Sequence, residues 1–207
     1  MIRPGKVKIG YKLFRYSKGN LFPLYVLANK PIPLGVWLEA EAGERNEKGK
    51  VKSRLGALAY RPGWHINDDA PYVEHIYTMH DGKKCQKDGT VWAEVEYHTD
   101  RCYGPEAREA GWRGGKWSAT RAQLDYIPVG GYYKYRTNPQ MKGFWVIAGE
   151  MKVNRILSDD EVRELCRACG YEPLERKVIR MTTKEEWLKL IKENKELLEK
   201  AKEEVKK

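Results

Sequence analysis

Residues 90–97 read Thr-Val-Trp-Ala-Glu-Val-Glu-Tyr, and this stretch carries the clearest strand pattern in the chain. Apolar side chains at the odd positions alternate with Trp92, Glu94 and Glu96, which is the period-two spacing of a half-buried β-strand. Both glutamates therefore lie on one face of the strand. The stretch predicts a sheet with one side against a core and the other side carrying charge.

Further strands surround this one in the sequence. Residues 7–14 and 21–26 are apolar and aromatic runs on either side of a turn containing Gly19, a pattern typical of a β-hairpin. Residues 132–136 and 144–147 predict a second strand pair. Residues 55–60 predict another strand, and the charged stretch 43–53 before it is expected to form an exposed loop.

Two helices are predicted near the C-terminus. Ser158 and Glu161 have the spacing of a capping box, and Gly170 lies where a helix end favours glycine, so a helix is expected from about 159 to 169. Thr183 opens a second helix with an apolar stripe. We expect an α+β fold, mainly an antiparallel sheet with two C-terminal helices. Its parts are a basic, aromatic-rich, mostly-β domain (1–157) and a helical segment (158–207) packed on it or extending from it.

Charge is distributed unevenly along the 207 residues. The formal net charge is +10, and residues 1–60 carry twelve Lys and Arg against four Glu. A local excess of this kind attracts polyanions such as nucleic acid, or an acidic protein surface, although basic surfaces also serve solubility alone. No apolar run approaches the ~20 residues of a membrane span, and four cysteines suit a reducing compartment, so a cytoplasmic location is expected.

Candidate binding residues combine cations that neutralise phosphates with aromatic rings that stack on bases. An alternative interpretation makes the cations the solvated face of a hairpin, and the sequence contains neither a Gly-rich phosphate loop nor a zinc-finger spacing. The predicted nucleic-acid or partner-binding residues are Lys12, Arg15, Lys50, Lys52, Arg54, Arg61 and Trp64.

Candidate catalytic residues are His65, Glu94 and Glu96. Two carboxylates on one strand face beside an imidazole form a general acid–base pair or a metal site if their strands are adjacent. The alternative is an ordinary solvent-facing strand and a structural histidine. Cys166 and Cys169 have the spacing of zinc ligands, but they lie at a helix C-terminus and are expected to be small core residues, so no metal is predicted.

Arg15 and the Glu-x-Glu strand are also similar to one class of ADP-ribosyltransferase. That likeness implies NAD as the cofactor, Arg15 as the residue that holds it and Glu96 as the catalytic residue. The class also has a Ser-Thr-Ser element on a middle strand, and this chain offers only Lys52-Ser53-Arg54 nearby. Without NAD chemistry no cofactor is expected, and whether the protein is an enzyme stays open.

Six segments in order resemble an uncharacterised family of phage and prophage accessory proteins from gut bacteria. They are YKLFR with LFPL (11–15, 21–24), GVWLEAE (35–41), LAYRPGWH (58–65), VWAEVE (91–96), GYYKYRTNP (131–139) and MKVNR (151–155). The resemblance implies a role inside a bacterial host: binding nucleic acid, or inhibiting a nucleic-acid-handling defence complex as anti-CRISPR proteins do. The transferase is the alternative, a structural or scaffold role comes third, and the last helix is a candidate for self-association.

Overall fold

The computed structural model describes residues 5–136 and 142–177 of the chain. Within them the strands, in chain order, are β1 (Val7–Ser17), β2 (Asn20–Phe22), β3 (Trp37–Glu39), β4 (Lys50–Ser53), β5 (Gly56–Ala59), β6 (Trp64–Asn67), β7 (Tyr77–His80), β8 (Lys83–Gln86), β9 (Thr90–His98), β10 (Arg101–Cys102), β11 (Trp112–Arg113), β12 (Lys116–Trp117), β13 (Gly131–Tyr135), β14 (Trp145–Ala148) and β15 (Glu150–Ile156). The helices are α1 (Gly104–Ala110) and α2 (Asp159–Ala168), with a 3₁₀ turn at Ala119–Arg121.

Nine of these strands form one sheet. Their spatial order is β10, β13, β14, β6, β1, β9, β15 and β3, with β2 paired to β1. Adjacent strands run antiparallel except β10 and β13. The predicted α+β fold with a mainly antiparallel sheet is confirmed. One predicted C-terminal helix is present as α2, and the other, expected from Thr183, lies outside the described residues.

The middle of β1 and most of β9 are covered on both faces, whereas Val7, Lys8 and Ile9 at the start of β1 are exposed. Leu13 and Trp92 are paired in register and belong to one hydrophobic core, whereas Phe14 and Val95 belong to a second core on the opposite face. The strand expected to be half-buried at 90–97 is therefore more enclosed than its pattern indicated, because a hydrophobic core covers each of its faces. The sheet also curls, since Trp64 on β6 donates its indole N–H to the carbonyl of Leu38 on β3 at 2.9 Å, four strands away.

Helix α2 covers the first of these cores. Ser158 and Glu161 form the predicted capping box, which satisfies amides at the helix start. Val162 and Cys166 are buried against the sheet residues of that core. Helix α2 belongs to the compact unit that runs to Arg176.

Three two-stranded hairpins lie outside the main sheet: β4–β5, β7–β8 and β11–β12. The stretch 43–53, expected as a loop, ends in strand β4. Ser53 explains why a strand and a turn form where a loop was expected. Its hydroxyl accepts a hydrogen bond from the amide of Leu55 and donates one to the carbonyl of Gly56, which closes a tight turn. Val51, only 2% exposed, anchors the hairpin to the body of the protein.

Candidate functional site

The β4–β5 hairpin is an exposed basic element. Residues 45–54 contain five Lys and Arg and a single acid, Glu47. Because side chains alternate along a strand, Lys50 and Lys52 lie on the face opposite the buried Val51. Their cross-strand partners are Ala59 and Ala57, whose methyl groups leave both ammonium groups open to solvent. We call Lys50, Lys52 and Arg54, with the strands that carry them, the basic hairpin.

The segment 23–30 joins the basic hairpin to the main sheet. The amide of Arg54 donates to the carbonyl of Tyr25 at 3.1 Å, and the ammonium of Lys87 lies 5.8 Å from the centre of the Tyr25 ring. Further along the segment, the guanidinium of Arg15 donates to the carbonyl of Ala28. The segment is therefore contacted by the backbone of the basic hairpin and by the cations Lys87 and Arg15, and it carries the half-buried ring of Tyr25.

Ion pairing does not neutralise the basic hairpin. In residues 5–136 and 142–177, the salt bridges involve neither Lys50, Lys52 nor Arg54. The neighbouring Arg45 is different, since it pairs with Asp125 at 2.7 Å and lies over the Tyr60 ring. Three open cations with no acid opposite them are arranged to meet an extended polyanion.

Lys12, predicted as a surface cation, is partly buried within the curl of the sheet. Its ammonium donates to the carbonyl of His65 at 2.8 Å and lies 5.6 Å and 5.5 Å from the ring centres of Phe14 and Trp64. Burial lowers the pKa of Lys12 to about 7. Trp64 is likewise engaged, because its indole N–H donates a hydrogen bond to the carbonyl of Leu38.

Arg61 and His65 lie on the other side of the sheet from Lys12. The guanidinium carbon of Arg61 is 5.4 Å from the centre of the Tyr135 ring. His65 contacts Trp145 edge-on, with ring centres 5.9 Å apart, and its Nδ1 lies 3.2 Å from the carbonyl oxygen of Gly63. Burial, followed by the charge of Lys12, lowers the pKa of His65 to about 3, so its imidazole is neutral at physiological pH.

The candidate catalytic carboxylates do not meet His65. Strand β1 lies between β6 and β9, and at the usual strand spacing this keeps the backbones of His65 and either glutamate about 10 Å or more apart. Both carboxylates have partners on β15. Lys152 lies 2.6 Å from Glu96, and this hydrogen bond holds the pKa of Glu96 below its ordinary value.

Glu94 takes part in the same network. Arg155 lies 3.2 Å from its carboxylate, and Asn154 donates to both glutamates. Arg15, the residue that the transferase likeness pairs with this strand, is opposite Thr90, four positions from Glu94 along β9. Structural ion pairs thus account for the Glu-x-Glu face.

Cys166 lies in α2 and Cys169 caps its C-terminus; Cys166 is a core residue as predicted, and the prediction is wrong for Cys169. Cys166 is buried beside the carbonyl of Pro71, and Cys169 is exposed beside the carbonyl of Asp69. Among the described residues, no group of three or more His, Cys, Asp and Glu side chains is arranged to hold a metal ion. In that same part of the chain, no helix is long and apolar enough to cross a membrane.

Some residues near these sites were not predicted from the sequence. Tyr25 and Lys87 come next to the basic hairpin through contacts between distant segments, and no local pattern signals them. Tyr135 is different: its place in the strand 132–136 is visible in the sequence, but its contact with Arg61 depends on the pairing of β13, β14 and β6.

The fold and these surfaces define a small basic α+β protein built on a curled, mainly antiparallel sheet. Comparisons with protein-family models, with curated proteins and with solved structures each found no match to this chain.

Proposed function

We propose that this protein binds nucleic acid through the basic hairpin. The observation that carries the proposal is the set of three exposed cations on β4 and the turn after it, which form no ion pair within the described residues. The hairpin that carries them is hydrogen-bonded to Tyr25 through the amide of Arg54. Phosphate neutralisation by such cations releases counterions and dominates non-specific affinity. The ring of Tyr25, on the adjoining segment, adds a surface on which a base can stack.

The wider biological role is proposed from the resemblance to phage accessory proteins. In that setting the hairpin acts on phage or host nucleic acid, or on the nucleic acid held by a host defence complex. The transferase alternative draws no support from Glu94 and Glu96, since each carboxylate is engaged by a cation of β15. A scaffold role has no specific observation in its favour.

Charge reversal tests the proposal. The variant Lys50→Glu/Lys52→Glu/Arg54→Glu should lose at least about tenfold in affinity for single-stranded and duplex DNA at low salt. A matched control reverses three exposed cations elsewhere, Arg108, Arg113 and Lys116, and changes the net charge by the same amount. Fluorescence anisotropy with a labelled oligonucleotide measures both variants.

Two results would count against the proposal. The first is no binding by the wild-type protein at low salt. The second is an equal loss of affinity in the hairpin variant and in the control, because that would trace binding to overall charge and not to the hairpin. Circular dichroism spectra of both variants establish that the fold is retained.

A further inference from the structure

A second candidate binding site begins at Arg61, directly after the basic hairpin. Ala59, the last residue of β5, pairs with Lys50, and Arg61 follows two positions later. The chain then turns at Gly63, whose φ of +113° favours glycine. This turn directs the Arg61 guanidinium toward the face of the sheet that carries Tyr135.

Three buried polar atoms in this region have no hydrogen-bond partner within the described residues. They are Nε of Arg61, the hydroxyl of Tyr135 and Oε1 of Gln123. Tyr135 is only 3% exposed, so solvent does not satisfy its hydroxyl. Buried polar groups are nearly always hydrogen-bonded, and three exceptions in one region point to a ligand that supplies the partners.

Two contacts place these three residues in one region. Arg61 lies over the Tyr135 ring, and the amide of Gln123 reaches the carbonyl of Tyr60 at 3.5 Å. Tyr133, two positions before Tyr135 on the same face, accepts a hydrogen bond from the amide of Leu124. The cluster therefore lies between β13, the start of β6 and the segment that follows the 3₁₀ turn.

The polar groups of this cluster favour an anionic ligand. Arg61 has no ion pair with an acid in the part of the chain that the structure describes, and a guanidinium prefers planar or tetrahedral oxyanions. The Tyr135 hydroxyl is a further donor. Gln123 Oε1 is an acceptor, which suits a ligand that also carries a hydroxyl. A phosphate monoester offers both kinds of oxygen.

We propose that Arg61, Tyr135 and Gln123 bind the phosphate group of a nucleotide or of a nucleic-acid strand end. The inference deepens the proposed function, because a strand lying on the basic hairpin would enter this cluster at the Lys50–Ala59 end. It does not depend on that function, since a free nucleotide fits the same chemistry.

Trp145 provides the signal for a test. His65 and His75 both contact its ring edge-on, at 5.9 Å and 6.0 Å between centres, so a ligand settling beside Arg61 and these imidazoles should change the indole environment. The full chain is titrated with inorganic phosphate and with adenosine monophosphate, followed by tryptophan fluorescence and calorimetry. Oligonucleotides with a 5′-phosphate and with a 5′-hydroxyl are compared in parallel.

The decisive variants are a matched pair of tyrosines. Tyr135→Phe removes a hydroxyl without a partner, so it should weaken phosphate binding about tenfold without lowering the unfolding temperature. Tyr133→Phe removes a hydroxyl that accepts from Leu124, so it should lower the unfolding temperature and leave phosphate affinity unchanged. Arg61→Gln should abolish phosphate binding.

The outcomes separate this inference from the proposed function. Reversal of the basic hairpin should leave phosphate and mononucleotide binding intact, whereas Tyr135→Phe should leave the binding of 5′-hydroxyl strands intact. Tighter binding of 5′-phosphate strands would assign the site to strand ends, and equal binding of both strands with retained mononucleotide affinity would assign it to free nucleotides. Failure of the wild-type protein to bind phosphate and mononucleotide at millimolar concentration, or equal behaviour of the two tyrosine variants, would overturn the inference.

Discussion

Replacement of Lys12 by Met should stabilise the protein, and the gain should shrink as the pH rises. Among the described residues, the partly buried ammonium has a single backbone carbonyl and two ring faces around it and forms no ion pair with a carboxylate. Its pKa falls from an ordinary value of 10.5 to about 7 in the folded protein. The unfolded chain therefore binds more protons between these two values, so the free energy of unfolding rises with pH across that window.

The size of the effect follows from the same pKa values. Between pH 7 and pH 9 the wild-type protein should gain about 2 kcal/mol from release of the Lys12 proton, or about 1 kcal/mol after allowing for solvent at a partly buried side chain. Lys12→Met lacks this titration, so the stability difference between variant and wild type should narrow by that amount. Methionine keeps the volume and flexibility of the lysine stem.

Urea denaturation at pH 7, 8 and 9, followed by circular dichroism, measures the difference. Lys8→Met is the control, because Lys8 lies on the same strand, has the same parity and is exposed. A difference between Lys12→Met and wild type that stays constant from pH 7 to pH 9 would refute the reasoning. So would a variant that is less stable than wild type at pH 7.

Two further substitutions test the turn before β6 and the charged face of β9. Gly63→Ala should lower the free energy of unfolding, measured by thermal or urea denaturation, by about 2–4 kcal/mol. The backbone there is at φ +113°, and a Cβ would lie 2.2 Å from Ile147. Gly19→Ala, at positive φ with open space around it, should lower the free energy of unfolding much less. Glu96→Gln should lower the free energy of unfolding by about 1 kcal/mol through loss of the Lys152 pair and leave nucleic-acid affinity unchanged. Hydrolysis of NAD by the wild type that Glu96→Gln abolishes would contradict the structural role of Glu96.

Local patterns predicted part of the fold, while strands such as β6, β7 and β8 were missed and the strand expected at 21–26 ends at Phe22. The alternation at 90–97 gave β9, and the Ser158–Glu161 spacing gave the start of α2, because both depend on neighbours in the chain. The burial of Trp92 on a covered face was not predicted, since it depends on α2 packing over a strand far away in sequence. The turn at Ser53 was also missed, because a charged stretch with two glycines equally fits a loop.

The same distinction between local patterns and long-range contacts applies to the candidate sites. Lys50, Lys52 and Arg54 lie together because they are close in the chain, so sequence reasoning grouped them correctly on one element. Lys12 was grouped with them because it is a cation among aromatic residues, yet the register of β1 turns its side chain into the curl of the sheet. The cluster of Arg61 with Tyr135 depends on strand order, which no local pattern contains.

The most direct test of nucleic-acid binding by the basic hairpin is its salt dependence. Duplex affinity is measured from about 50 to 200 mM salt for the wild type and for Lys50→Gln/Lys52→Gln/Arg54→Gln. If these three cations meet phosphates, the slope of log affinity against log salt should become shallower by up to about 3 in the variant. An unchanged slope in the variant, or wild-type affinity that does not fall with salt, would contradict the account.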